Sequence, residues 1–104
     1  NDAFVLPDGA TLSSGYLLDL TYGVILNHEQ AVRGFCLVQD RADLWELEVM
    51  PGSGWGLGLA DQLRSELEAH LHAFNVRIAV KVVEQVSRTK SGKSNPIISR
   101  IKKE

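Results

Sequence analysis

Two hydrophobic periods alternate along this 104-residue chain, and each change of period marks an element. Trp45, Leu47 and Val49 alternate with Glu46 and Glu48, a period of two that predicts a half-buried strand over Leu44–Met50. Val32–Gln39 reads as a strand before it, joined through Asp40-Arg41-Ala42-Asp43. Leu59, Leu63, Leu67 and Leu71 then recur every fourth residue, with Asp61, Arg64, Glu66 and Glu68 facing outward, which predicts a helix over Leu59–Phe74. Val76, Ile78, Val80 and Val82 alternate with Arg77 and Lys81, the pattern of a third strand.

The first third of the chain is less regular. Phe4-Val5-Leu6, the turn Pro7-Asp8-Gly9-Ala10 and Thr11-Leu12 predict a small hairpin, because Pro presets φ and Gly accepts a positive one. Ser13 or Ser14 is placed to cap a helix from about Gly15 to Leu26, carried by Leu17, Leu20 and Val24 and weakened by Gly23. At the other end, Pro96 to Ile101 is expected to form one or two helical turns with Pro near their start. The order hairpin, helix, strand, strand, helix, strand, tail predicts an α+β domain. Its expected form is a mainly antiparallel three-stranded sheet with both helices on one face.

Size and composition fit one ordered domain. The chain is 44% apolar and 23% charged, enough for a real core at this length. The lone Cys36 lies in the apolar run Phe35-Cys36-Leu37-Val38 and reads as a buried thiol, which fits a reducing, cytoplasmic setting. No apolar run approaches a membrane span, and no signal peptide is visible, so no membrane is expected. The first residue, Asn1, fits a processed chain or an excised piece of a longer one.

Charge adds an asymmetry. Residues 1–83 carry net −6, whereas residues 84–104 carry six Lys/Arg against two Asp/Glu, net +4. An acidic body argues against nucleic acid, and a basic end on it suits one anionic site. The glycine-rich loop Pro51–Gly58 does not match a dinucleotide fingerprint, since Leu57 stands where the third Gly belongs. It reads as a connection with Trp55 as its apolar anchor. His70 and His72 are two apart on a helix and cannot share a face as metal ligands.

The chemistry concentrates in Arg88-Thr89-Lys90-Ser91-Gly92-Lys93. Ammonium groups, hydroxyls and a glycine side by side are what hold phosphate. A nucleotide P-loop is excluded, because Ser87 stands where its first Gly is required and the segment follows the last strand. Val86 to Lys93 resembles instead the final motif of the adenylate-forming enzymes, usually Pro-Arg-Thr-x-Ser-Gly-Lys. Phe4–Leu12, Met50-Pro51-Gly52 and Arg88–Ile101 look most like the phenylacetate–CoA ligase branch, especially its capsular-polysaccharide-biosynthesis relatives. The chain departs from the pattern at Ser87 (usually Pro), at Asn1 (usually a hinge Asp) and at Ser94-Asn95-Pro96, which lacks a basic residue.

That resemblance implies a single C-terminal lid domain over 1–104: a hinge remnant at Asn1 and Asp2, a body over 3–83 and a basic tail over 84–104. Lys93 would be the adenylation lysine, with Arg88, Thr89, Ser91 and Gly92 around the nucleotide and Gly9 in the hairpin that meets the CoA site. The cofactors implied are ATP with Mg and CoA in the full-length enzyme, and the isolated domain would bind none of them and be inactive. The partners implied are an N-terminal adenylation domain of the same chain and a carboxylic-acid substrate. The alternative is a free-standing α+β regulatory or interaction module whose acidic sheet face and Trp residues meet a protein.

Overall fold

The computed structural model describes residues 3–89, 91, 92 and 95–101. Phe4–Val5 (β1) and Thr11–Leu12 (β2) form an antiparallel hairpin. Helix α1 runs Ser14–Leu26, with the Ser13 hydroxyl accepting from the Tyr16 N–H at 3.2 Å, as an N-cap requires. Strands Val32–Gln39 (β3) and Leu44–Pro51 (β4) pair antiparallel, with Leu37 opposite Leu47 and Gln39 opposite Trp45. Helix α2, Leu59–Leu71, ends in one 3-10 turn, His72–Phe74, that leaves through Asn75 at φ 60°. Arg77–Val82 (β5) and Ile97–Ser99 (β6) complete the four-stranded order β5-β4-β3-β6.

The fold is α+β, and it differs from the expectation in two details of the sheet. It is mixed rather than mainly antiparallel, because β5 pairs parallel with β4. Helix α2 is the crossover that a parallel pair needs. It also has a fourth strand: Pro96–Ile101 makes no helical turns, and Ile97–Ser99 pairs parallel with Leu37–Gln39. Ile97 and Ile98 bury on opposite faces of the sheet. A strand covered on both sides lacks alternation, and so reads as a short apolar run of either kind.

One large core lies between the helices and the sheet. Leu17, Val24 and Ile25 of α1 and Leu63, Leu67 and Leu71 of α2 meet Leu37, Trp45, Leu47, Val49, Ile78 and Ile97 there. Phe4 carries the hairpin into this core, its ring edge-on to Trp45 at a centroid distance of 4.8 Å. The glycine-rich loop packs against the chain after α1: Gly52 N–H donates to Ala31 O, and a Cβ at Gly52 would stand 2.9 Å from Gln30 O. His28 Nε2 and Glu66 Oε2 lie 2.8 Å apart, joining the end of α1 to α2. Glu68 Oε2 accepts from Ile78 N–H, fixing α2 to the start of β5.

The opposite face of the sheet is covered differently. Cys36, Val38 and Ile98 form a small cluster with Val86. Trp45 is buried and Trp55 packs against the main core, so the indole of Trp45 is not open to a partner.

Candidate functional site

The chain crosses this second face of the sheet as it leaves β5, and its path there is set by Glu48. By strand alternation Glu48 points away from the helices, yet it is only 5% exposed. Its carboxylate takes two bonds from one residue: Ser87 N–H donates to Oε1 at 2.6 Å, and Ser87 Oγ donates to Oε2 at 2.7 Å. Arg100 Nη2 donates to Ser87 Oγ at 2.9 Å and Arg100 Nη1 to Asp40 Oδ2 at 3.4 Å. A carboxylate this far from water needs such charge-assisted donors.

The basic loop starts from that anchor. Gly92 N–H donates to Thr89 O at 2.9 Å, with Gly92 at φ 80°, a conformation that favours glycine. The hydroxyls of Thr89 and Ser91 lie 3.0 Å apart, and Arg88 Nη1 reaches Gly92 O at 3.4 Å. Arg88, Thr89, Ser91 and Gly92 thus belong to one tight turn. Lys90, Lys93, Asn1 and Asp2 lie outside the described residues.

A second anchor receives the chain after the loop. Cys36 Sγ donates to Asn95 O at 3.3 Å, Ile97 N–H to Asn95 Oδ1 at 3.0 Å, and Leu37 N–H to Pro96 O at 2.7 Å. The Cys36 thiol is pushed up to about 12, first by burial and then by the nearby Glu48 charge, with Arg100 opposing. It therefore serves as a neutral donor. Beside the two ends of the loop is a groove of about 410 Å³, lined by Tyr22, Leu26, Phe35, Val86 and Pro96, with Arg33 and Glu29 at its polar positions.

Gly9, the other glycine singled out by the sequence, sits at the tip of the β1–β2 hairpin at φ 89°. Gly9 N–H donates to Leu6 O, and Asp8 Oδ1 accepts from Ala10 N–H. The hairpin is fixed by Gln39, whose Oε1 accepts from Val5 N–H at 3.0 Å and whose Nε2 donates to Val5 O at 2.6 Å. Ser99 Oγ donates to the same Oε1 at 2.8 Å. Gln39 stands on the Trp45 side of the sheet and Glu48 on the other. The hairpin and the basic loop are thus rooted on opposite faces.

Glu48, Gln39, Arg100 and Asn95 are the positions that sequence reasoning missed. Glu48 reads as the solvent side of an alternating strand, and its partner is 39 residues away. A carboxylate on a strand gives no local sign that it will meet a serine this far along the chain. Among the described residues, no group of three or more His, Cys, Asp and Glu is arranged to hold a metal ion, and no helix is long and apolar enough to cross a membrane.

A scan against protein-family models finds no match, nor does a search of curated protein sequences. Among solved structures, the chain is similar to a 2-hydroxyisobutyryl-CoA ligase in an open conformation, in complex with 2-HIB-AMP and CoA. The match has a TM-score of 0.56 at 19% identity and covers 94% of this chain and 21% of that one. The likeness is therefore one of fold: nearly all of this chain takes the shape of about a fifth of that ligase.

Proposed function

We propose that this chain is the mobile C-terminal domain of an AMP-forming acyl- or aryl-CoA ligase, of the phenylacetate–CoA ligase type. The observation that carries the reading is that the Gly9 hairpin and the segment beginning at Ser87 are rooted on opposite faces of one sheet. A rigid body built in this way can present one face to a reaction centre and then, after rotating about a hinge at Asn1-Asp2, the other. The fold shared with part of a CoA ligase supports the same reading.

In the first half-reaction a carboxylate oxygen attacks the α-phosphorus of ATP, forming an acyl-adenylate and expelling pyrophosphate. Both reactants are anionic, so a cation between them stabilises charge that grows in the transition state. Lys93 supplies that cation, while Thr89, Ser91 and the Gly92 backbone border the phosphate. In the second half-reaction the domain has turned, Lys93 has withdrawn, and the Gly9 hairpin flanks the path of CoA. Its thiol attacks the acyl carbonyl, giving the thioester and releasing AMP. ATP with Mg and the acid are held chiefly by the preceding domain of the parent chain.

Two observations test this. The parent polypeptide should continue upstream of Asn1 with a Gly-Arg hinge and several hundred residues that include a Ser/Thr/Gly-rich phosphate loop; translation starting near Asn1 would instead favour the interaction module. Calorimetry on residues 1–104 should detect no micromolar ATP binding, because one lysine loop without purine and acid pockets is a fraction of a site.

A further inference from the structure

We infer that Glu48 is a positioning residue: through Ser87 it holds the start of the turn formed by Arg88, Thr89, Ser91 and Gly92, a role that rests on the ligase reading above. Three features of the site point this way. Glu48 is almost wholly buried on a face whose apolar cluster is small, a costly place for a carboxylate unless its bonds matter. Both of its oxygens are spent on Ser87, the residue immediately before Arg88, with bonds of 2.6 and 2.7 Å to the N–H and the hydroxyl. Arg100, just after β6, donates to the same hydroxyl, so the strand that ends the loop region is joined to the residue that begins it.

The residue type at position 87 completes the case. The motif that this loop resembles has Pro there, whose ring fixes φ without a partner. Serine has no such restraint. It does have the N–H that proline lacks, and that N–H is one of the two groups Glu48 holds. On this face Cys36 is the register neighbour of Glu48 on one side and the exposed Lys81 on the other. Neither replaces the two bonds to Ser87. The buried carboxylate thus holds residue 87 by two hydrogen bonds where that motif has a proline.

The test uses the full-length parent, with the carboxylic acid that supports ATP–pyrophosphate exchange in the wild type. Glu48→Ala, Glu48→Gln, Ser87→Ala and Lys93→Ala are compared in pyrophosphate exchange and in thioester formation from a supplied acyl-adenylate. Glu48→Ala should lower kcat for pyrophosphate exchange roughly 10- to 100-fold with KM for ATP unchanged, as expected for a misplaced catalytic group. Thioester formation should be unaffected. Glu48→Gln, which keeps an acceptor for the N–H and a polar partner for the hydroxyl, should recover most of the loss. Amide exchange should be about tenfold faster in a peptide spanning Val86–Arg88 in Glu48→Ala, and unchanged in peptides from β4 and α2. If β4 and α2 also lose protection, Ser87→Ala, which deletes only Oγ, supplies the same comparison. Wild-type exchange in Glu48→Ala and Ser87→Ala beside a large loss in Lys93→Ala would overturn the positioning role alone. So would a loss that Gln fails to rescue, or one shared equally by both half-reactions. Full exchange in Lys93→Ala would overturn the ligase reading and this role with it.

Discussion

The two faces of the sheet are held by different physics. On one, α1 and α2 bury a continuous apolar core in which Trp45, Leu47, Leu63, Leu67 and Leu71 are fully enclosed. On the other, four residues form a small apolar cluster, and the chain is directed by hydrogen bonds that Glu48 accepts and that Arg100 and Cys36 donate. Apolar burial is strong and non-directional, and it decides whether the domain folds. Hydrogen bonds contribute less net free energy but specify direction, and they aim a segment. The difference suits a domain whose helix side is a frame and whose other side directs a segment of chain.

The contrast can be broken first at its strongest point. Trp45→Ala removes the largest enclosed side chain and the edge-on contact with Phe4. It should cost about 3–5 kcal/mol, a large share of the stability of a domain this size, and denaturant unfolding would show the midpoint collapse. A loss below about 1 kcal/mol would mean that the helix-side core is not what holds the domain.

Gln39→Ala should do less, and locally. It leaves Val5 N–H and O without their side-chain partner, at a cost of about 1–3 kcal/mol. Amide exchange should then speed up at Val5 and Gly9 while Leu47 and Leu67 stay protected. Uniform loss of protection would show that the hairpin is part of the frame rather than an attachment to it.

The smallest effect concerns Cys36. With its thiol pushed up to about 12 by burial and by Glu48, labelling by a thiol reagent at pH 8 should be far slower than in unfolded chain. The linked stability runs in a fixed direction. The folded pKa lies above the ordinary 9.0, so the contribution is whole below pH 9 and is lost as pH climbs toward 12. Stability that rose over that window would place the thiolate, not the thiol, in the native state.

The same division explains what could be read from the chain. Period-two and period-four repeats of Trp45–Val49 and Leu59–Leu71 report burial against one face, so β3, β4, α2 and β5 were legible with nearly their observed limits. The pair Ser13-Ser14 announced α1 by its capping chemistry, with Ser13 the one that caps it, and Pro7-Asp8-Gly9 announced the hairpin. β6 was not legible, because Ile97 and Ile98 bury on both sides and leave no period. The parallel pairing of β4 and β5 follows from a crossover that strand patterns do not encode. In the site, Arg88, Thr89, Ser91 and Gly92 stood out as a phosphate-type cluster by their residue types. Glu48 and Gln39 did not, since each acts on a segment more than 30 residues away in sequence.

The proposed function turns on Lys93 supplying the adenylation charge and leaving before the second half-reaction. The most direct measurement takes Lys93→Ala in the full-length enzyme, with Lys90→Ala as control, and follows pyrophosphate exchange and thioester formation separately. Lys93→Ala should lose about 3–4 kcal/mol of transition-state stabilisation, roughly 10²- to 10³-fold, in pyrophosphate exchange alone. Lys90→Ala should leave both half-reactions nearly intact. Equal loss of both half-reactions in Lys93→Ala, or a defect confined to Lys90→Ala, would contradict it.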